Sequence, residues 1–172
     1  MYMRVMGIDP GLTRCGVAVI EGLPGRSVQA LYVGVITTSA EADLSARLTT
    51  LYTELEQLLE RFEPEFIAIE RVFSQHNVRS AMATAQAAGV GLLLAGQRNI
   101  SVAMHTPTEV KAAVTGNGRS DKAQVTAMVT RIARLDAPPK PADAADALAI
   151  AITQAWRGSA QRRISKALEA QT

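Results

Sequence analysis

The chain has 172 residues, which suits one domain with a proper core and leaves little room for two full domains. Hydrophobic residues make up 48% and charged residues 20%, as in an ordinary globular protein, and the single cysteine, Cys15, excludes an intrachain disulfide. The net charge of +2 is small but unevenly distributed: the first 110 residues carry 8 basic and 11 acidic side chains, and the remainder carry 10 and 5. A basic last third is typical of a phosphate-binding face, and it is equally compatible with a solvated surface.

The sequence has neither the pattern of a membrane span nor that of a signal peptide. No apolar run approaches the roughly 20 residues that cross a bilayer. The N-terminal segment reaches a charge at Arg4 and lacks the apolar stretch of a signal peptide. We therefore expect a cytoplasmic protein with no membrane partner.

The first 37 residues predict an antiparallel meander of three strands. Met3–Asp9 is apolar and contains β-branched residues, Cys15–Ile20 has the same character, and Val28–Thr37 follows. Pro10-Gly11 and Gly22-Leu23-Pro24-Gly25 provide the turn signals between them.

The middle of the chain predicts a helix and then a parallel strand. Leucines spaced by four and three residues from Leu44 to Phe62 form one face of an amphipathic helix, which ends before Pro64. Phe66–Glu70 is a short apolar strand, and a strand reached through a helix usually runs parallel to a strand already in the sheet.

The rest of the chain predicts one more strand and four helices. These are an Ala- and Gly-rich helix Val78–Gln97, a strand Ile100–Met104, helices starting at Thr106-Pro107 and at Ser120-Asp121, and a helix Ala142–Trp156. The order β-β-β-α-β-α-β-α-α-α fits one mixed five-stranded sheet with helices on both faces. The polar, basic tail beyond Gly158 is compatible with disorder.

Two acidic residues each end a predicted buried strand. Asp9 ends the first strand, where Asp-Pro-Gly is also ordinary turn chemistry. Glu70 ends the strand Phe66–Glu70 at the edge of the core, where a carboxylate that loses water must be paired or bound to a cation. If these two strands are parallel neighbours, both acids emerge at the sheet edge where open α/β sheets usually bind ligands.

A second acidic pair, Asp143 and Asp146, lies on one face of the last helix among alanines. The pair has a structural explanation too, because the helix dipole favours acids near an N-terminus. A common explanation for all four acids is a site for hard cations such as Mg²⁺ or Mn²⁺, which prefer carboxylate oxygens. Two such ions about 3.5–4 Å apart can activate a water and stabilise the leaving oxygen of a phosphodiester. Asp9 would best bridge them.

The chain contains three motifs in a fixed order: Gly7-Ile8-Asp9-Pro10-Gly11, Ala68-Ile69-Glu70-Arg71-Val72-Phe73 and the segment Ala142–Ala149. In this order and at this spacing they resemble the RuvC family of Holliday-junction resolvases, and the resemblance covers Met3 to Trp156. Actin-like ATPases and sugar kinases share the first motif, but they use two such domains and this chain has room for one. The resemblance implies a ribonuclease H-like fold, with a five-stranded mixed sheet flanked by helices, for residues 1–157, followed by the tail 158–172.

The resemblance also implies an activity and partners. It implies a homodimer that makes two-fold symmetric nicks in four-way DNA junctions, by Mg²⁺-assisted hydrolysis that leaves 5′-phosphate ends. Two Mg²⁺ ions per subunit are implied, with Mn²⁺ able to substitute. The family works in recombination and repair with the RuvA and RuvB branch-migration complex.

The resemblance assigns roles to individual residues. Those matching catalytic and metal-binding positions are Asp9, Glu70, Asp143 and Asp146, and those matching DNA-binding positions are Phe73, Lys111 and Lys122. Further candidate DNA-binding residues are Arg71, where the family often has a different polar residue, Arg79 and Arg119. Phe73 matches an aromatic residue that stacks on a base, but it could equally be tucked under its own loop. Lys111 and Lys122 match basic residues near the scissile backbone, although most lysines are simply solvated. Arg71 could contact a phosphate or pair with Glu70.

Two other functions share these features. One is a YqgF-type RNA-processing nuclease with the same fold and several of the acids. The other is a junction-binding protein without nuclease activity, in which the acids serve as turn and cap residues. Metal-dependent cutting of junctions, compared with RNA and linear duplex, separates the three.

Overall fold

The computed structural model describes residues 2–22, 27–71 and 77–169, with side chains described as far as Gly158. Its strands are β1 Met3–Asp9, β2 Arg14–Gly22, β3 Val28–Thr37, β4 Phe66–Glu70 and β5 Ser101–His105. They form one sheet in the order β3-β2-β1-β4-β5. The predicted mixed five-stranded sheet is confirmed, with β2 longer than predicted and β5 displaced by one residue.

Strand directions follow the predicted connections. The tight turns make β1, β2 and β3 an antiparallel meander, and the helical crossovers make β4 parallel to β1 and β5 parallel to β4. Most of the second turn segment, Gly22-Leu23-Pro24-Gly25, lies outside the described residues. Because β1 and β4 are parallel neighbours, their carboxyl ends meet at one edge of the sheet.

Five helices cover the sheet on both faces: α1 Leu44–Phe62, α2 Val78–Gln97, α3 Pro107–Thr115, α4 Lys122–Ile132 and α5 Ala142–Glu169. One buried cluster joins α1 and α2 to the sheet, and another joins α3, α4 and α5 to the opposite face. Helix α5 continues to Glu169, through most of the segment that the sequence marks as a tail.

Local sequence signals fix where α3 and α4 begin. Thr106 accepts a hydrogen bond from the Glu109 backbone N–H, and the Glu109 side chain accepts one from the Thr106 N–H. Asp121 and Gln124 form the same reciprocal capping box at the start of α4. Both helices therefore start at defined residues beside the carboxyl edge of the sheet.

Helix α2 differs from the expectation that no apolar run is long enough to span a bilayer. By length and composition it could cross a membrane. The mean hydropathy of its most apolar stretch is 1.2, and 28% of that stretch is buried. Its inner residues Ala87, Ala88 and Leu94 belong to the core cluster that also contains residues of α1 and of the sheet. Its exposed apolar residues are Val78, Met82, Leu92 and Leu93.

Candidate active site

Asp9 and Glu70 leave the sheet side by side. Ile8 of β1 is paired with Ile69 of β4, so the next residue of each strand is an acid at the same edge. Both side chains line a cleft of about 330 Å³. The predicted meeting of these two acids at one sheet edge is confirmed.

The other two acids reach this edge because α5 lies very close to the sheet. A Cβ at Gly16 would collide with the Asp143 carbonyl oxygen, and a Cβ at Gly7 would collide with Ala147 and would lie 2.7 Å from the Ala151 nitrogen. The facing residues of the helix are alanines, including Ala147 and Ala151, which are fully buried. Small residues on both surfaces thus let the first two turns of α5 carry Asp143 and Asp146 to the end of β1 and the start of β2.

The strand faces beneath α5 become smaller toward this edge. Residues two apart on a strand point to the same face. Along β1 these are Met3, Val5, Gly7 and Asp9; along β2, read toward the same edge, they are Ile20, Ala18, Gly16 and Arg14; along β4 they are Phe66, Ala68 and Glu70. Each series runs from a bulky residue through a small one to a charged one, so close helix packing and the charged cleft share one cause.

The cleft brings together all four predicted acids and both predicted lysines. Its lining consists of Asp9, Glu70, Asp143, Asp146, Lys111 and Lys122, with Pro107, Val110, Val125 and Ala149 as its remaining residues. The two lysines come from α3 and α4, the helices with capping boxes. Five different elements therefore contribute charged groups to one cleft.

Electrostatic coupling shows how close the acids are. Burial, and after it the negative charges of Glu70, Asp146 and Asp143, raise the pKa of the Asp9 carboxyl to about 7, against the opposing effect of Lys122. Burial, with help from Asp146, also raises the pKa of Glu70, against the lysines. A carboxyl group whose pKa is raised to near neutral by burial and like charges is typical of a cation site or a catalytic centre.

Two basic side chains pair with the acids of α5. Arg14 Nε lies 3.2 Å from Asp143 Oδ2, and Lys122 Nζ lies 3.1 Å from Asp146 Oδ2. The basic side chains are 60% and 76% exposed, whereas each acid is 27% exposed. The hydrogen bond to Asp146 is the main cause of a raised Lys122 pKa.

The donor chemistry of the cleft fits a hard divalent cation. Four carboxylates offer oxygen ligands, the donors that Mg²⁺, Mn²⁺ and Ca²⁺ prefer. Within the described ranges, no three acidic, histidine or cysteine side chains already stand at ligand distance of a common point.

None of the remaining predicted DNA contacts is among the described residues that line the cleft. Arg71 is exposed at the end of β4, and its backbone N–H donates to the His105 carbonyl at 2.8 Å. Where side chains are described, no ion pair joins Arg71 to Glu70. Arg79 is exposed in the first turn of α2, and Arg119 is exposed in the turn between α3 and α4. Phe73 lies outside the described residues.

Sequence reasoning missed Arg14 and the role of Gly16. The second strand was predicted to start at Cys15, one residue late, which left Arg14 in the turn. Extending the alternation of β2 back by one residue would have placed Arg14 on the face of Gly16, beside Asp9. The close approach at Gly16 carries no sequence signal beyond the glycine itself.

The sheet order, with an acidic cleft at its carboxyl edge, defines a ribonuclease H-like nuclease fold, and the comparisons agree. A family model described as "Crossover junction endodeoxyribonuclease RuvC" matches residues 5–154. The RuvC of Streptomyces avermitilis is 61% identical over 166 residues, covering 96% of this chain and 94% of that protein, and the RuvC of Streptomyces coelicolor is 60% identical over 170 residues, covering 99% and 90%.

A solved structure is also similar. It is the RuvC of Thermus thermophilus in complex with a Holliday junction substrate, with a TM-score of 0.87 and 33% identity, covering 91% of this chain and 94% of that one. The chain belongs to the RuvC family of crossover junction endodeoxyribonucleases. It is thus a structure-specific endonuclease, and nucleases of this family are metal-dependent.

Proposed function

We propose that this protein resolves Holliday junctions by making symmetric nicks in four-way DNA, through two-metal hydrolysis of the phosphodiester bond. The observation that carries the proposal is the convergence of Asp9, Glu70, Asp143 and Asp146, from three elements far apart in sequence, on one cleft. Two lysines on the opposite wall supply positive charge for the DNA backbone. The resemblance of the whole chain to a junction-bound RuvC supports the choice of substrate.

The four carboxylates would hold the two ions, Mg²⁺ or, in its place, Mn²⁺. Bound there, the ions would supply an activated water and charge stabilisation for the leaving oxygen. Asp9 has to lose the proton that its raised pKa lets it hold at neutral pH. Lys111 and Lys122 bind the scissile backbone, and Val110 and Val125 limit the water that enters. The products carry 5′-phosphate and 3′-hydroxyl ends.

The proposal includes DNA contacts by exposed arginines outside the cleft lining. Arg71, at the end of β4, and Arg119, in the turn before α4, are exposed and contribute phosphate contacts, as does Arg79 in the first turn of α2. Phe73 stacks on a base at the opened junction. In the cell, we propose a cytoplasmic enzyme that acts with the RuvA and RuvB branch-migration complex.

A homodimer follows from the symmetry of the substrate, because two related nicks require two active sites. Helix α2 offers the interface: Val78, Met82 and Leu93 are 69%, 59% and 55% exposed on an otherwise Ala- and Gly-rich helix. Such a face is costly to leave in water. We expect Leu93→Asp, but not Val102→Asp on β5, to convert the dimer to a monomer in analytical ultracentrifugation. A wild-type monomer at micromolar concentration would contradict the dimer.

The decisive experiment titrates Mg²⁺ against nicking of a synthetic four-way junction. Wild-type protein should nick the junction at two symmetric positions only when the metal is present, and should leave linear duplex and RNA intact. Asp43→Asn is the matched control for loss of an acid, because Asp43 caps α1 without a side-chain hydrogen bond. Asp9→Asn should bind the junction without cutting it.

Each other outcome of this titration points to a different function. Preferential cutting of RNA would indicate an RNA-processing nuclease. Junction binding with no nicks at any Mg²⁺ or Mn²⁺ concentration would indicate a structural junction-binding protein.

A further inference from the structure

Arg14 is a basic residue that pairs with Asp143, one of the acids that line the cleft. It is the first residue of β2, and it lies two positions before Gly16, so both point to the face that α5 covers. Asp9 is paired with Gly16 across the β1–β2 ladder. The Arg14 side chain therefore starts beside Asp9 and reaches the first turn of α5, where it pairs with Asp143.

The backbone beneath Arg14 is firmly held. Arg14 is paired with Thr37 of β3, and the Thr38 N–H donates to the Thr13 carbonyl at 3.1 Å. Arg47 of α1 donates to Thr13 Oγ1 and Thr38 Oγ1, each at 2.9 Å. The Arg14 side chain thus extends from a fixed turn.

The contact with Asp143 is the kind that a metal ion would displace. It uses Nε, and among the described residues the terminal guanidinium nitrogens have no partner. Arg14 is 60% exposed, and ion pairs of such exposure are weak. A divalent cation in the cleft would take Asp143 as a ligand and neutralise the charge that holds Arg14.

We propose that Arg14 is a DNA-positioning residue coupled to the metal through Asp143. Before the metal binds, Arg14 pairs with the Asp143 carboxylate, and once the metal has bound, Arg14 binds a backbone phosphate of the DNA. This inference rests on the proposed function. Lys122 forms the corresponding pair with Asp146 from the α4 side. The two pairs therefore place one cation on each of the two acids of α5, and a guanidinium can hold a phosphate with two parallel hydrogen bonds.

The coupling predicts two effects of opposite sign for Arg14→Gln. Without DNA, Mn²⁺ measured by calorimetry should bind about threefold more tightly, since Asp143 no longer has a competing cation. With Ca²⁺ as the cation, and with intact DNA verified on a gel, a four-way junction should bind about fivefold more weakly. The slope of log affinity against log salt should fall by about 1, as expected for one lost phosphate contact.

Two further variants provide the comparison. Arg14→Lys keeps the charge and should retain most of the metal competition and of the salt slope, though not the two-bond geometry. Arg98→Gln is the matched control, because Arg98 also pairs with carboxylates, Glu56 and Glu60, but precedes β5 at the opposite edge of the sheet. It should leave both measurements unchanged.

The two effects distinguish positioning of DNA from a structural role. If Arg14 merely held Asp143 in place, its loss would weaken Mn²⁺ binding, and that result overturns the proposal. An unchanged salt slope in Arg14→Gln, with a wild type that binds junctions normally, also overturns it while leaving the proposed function standing. A wild type that does not bind junctions would overturn both.

Discussion

The two faces of the sheet are built on different principles. On one face, large side chains fill the space: Leu51, Leu55 and Leu59 of α1 pack against Ile8 and Ile69 of the sheet, all at most 3% exposed. On the other, α5 lies against glycine and alanine, so close that a single added methyl group would collide with its backbone. The first face provides apolar burial, and the second provides the short distance that brings acids from two layers into one cleft.

The α1 face mainly contributes to the stability of the fold, and the α5 face mainly determines where the acids of the cleft lie. Full burial of a leucine contributes about 1.5–3 kcal/mol, so the α1 face can lose some packing and keep its geometry. On the α5 face, a shift of the first two turns of the helix moves Asp143 and Asp146 away from Asp9 together. We therefore expect mutations on the two faces to affect different measurements.

The largest effect is expected where the two layers meet, at Asp9. Asp9→Asn should lower cleavage of a four-way junction at least a thousandfold, because a neutral amide is a poor ligand for a hard cation. Circular dichroism and junction affinity should remain those of the wild type. The Asp43→Asn variant should cut normally, and cutting by Asp9→Asn at more than a tenth of the wild-type rate would contradict the mechanism.

One substitution on each face of the sheet tests whether the two faces have these different roles. Gly16→Ala forces the Asp143 carbonyl away from β2, and we expect cleavage per folded molecule to fall by about a hundredfold, as for a misplaced catalytic group. Leu55→Ala should instead lower the free energy of unfolding by about 2–5 kcal/mol. Its cleavage per folded molecule should remain within about twofold of the wild type, a change of under 0.5 kcal/mol.

Urea denaturation and single-turnover cleavage, measured on the same samples, distinguish these results. Gly89→Ala is a control for the added methyl group, because a Cβ at that position of α2 meets nothing within 4 Å. If Gly16→Ala and Leu55→Ala lose stability and activity in the same ratio, the proposed separation of the two faces is wrong.

The faces also differ in how far they could be predicted from sequence. The leucine spacing of α1 and the apolar run of β1 record which residues of each element are buried, so the sheet, the helices and the four acids followed from local patterns. Where the N-terminal part of α5 approaches the sheet, the residues beneath it are small, and small residues leave no comparable pattern. The close approach at Gly16 and the Arg14–Asp143 pair depend on the tertiary position of α5, which local sequence does not encode.

A smaller effect concerns pH. The Asp9 pKa of about 7 means that the metal-free folded protein holds a proton that the unfolded chain releases near pH 3.8. This group therefore favours folding below pH 3.8, and its contribution is lost as pH rises to about 7. Relative to the wild type, Asp9→Asn should gain stability between pH 4 and 7, on the order of a few kcal/mol, and no more above that range.

Thermal unfolding of the metal-free proteins between pH 4 and 8.5 checks this prediction. Cation binding needs the carboxylate, so the apparent Mn²⁺ affinity of the wild type should rise up to about tenfold per pH unit below pH 7 and level off above it. A stability difference that does not vary with pH would show that the Asp9 carboxyl titrates in the ordinary range.

The smallest effects are expected at the lysines, which belong to the α5 side of the sheet but to different helices. Lys111→Ala and Lys122→Ala should each weaken junction binding a few-fold and lower the salt slope by about 1. Lys122→Ala should also tighten Mn²⁺ binding, because Lys122 pairs with Asp146 at 3.1 Å. Lys140→Ala, in the linker before α5, is the matched control for loss of a lysine. Equal salt slopes in all three variants would show that the cleft lysines do not contact phosphate. The phosphate contacts would then have to come from the exposed arginines.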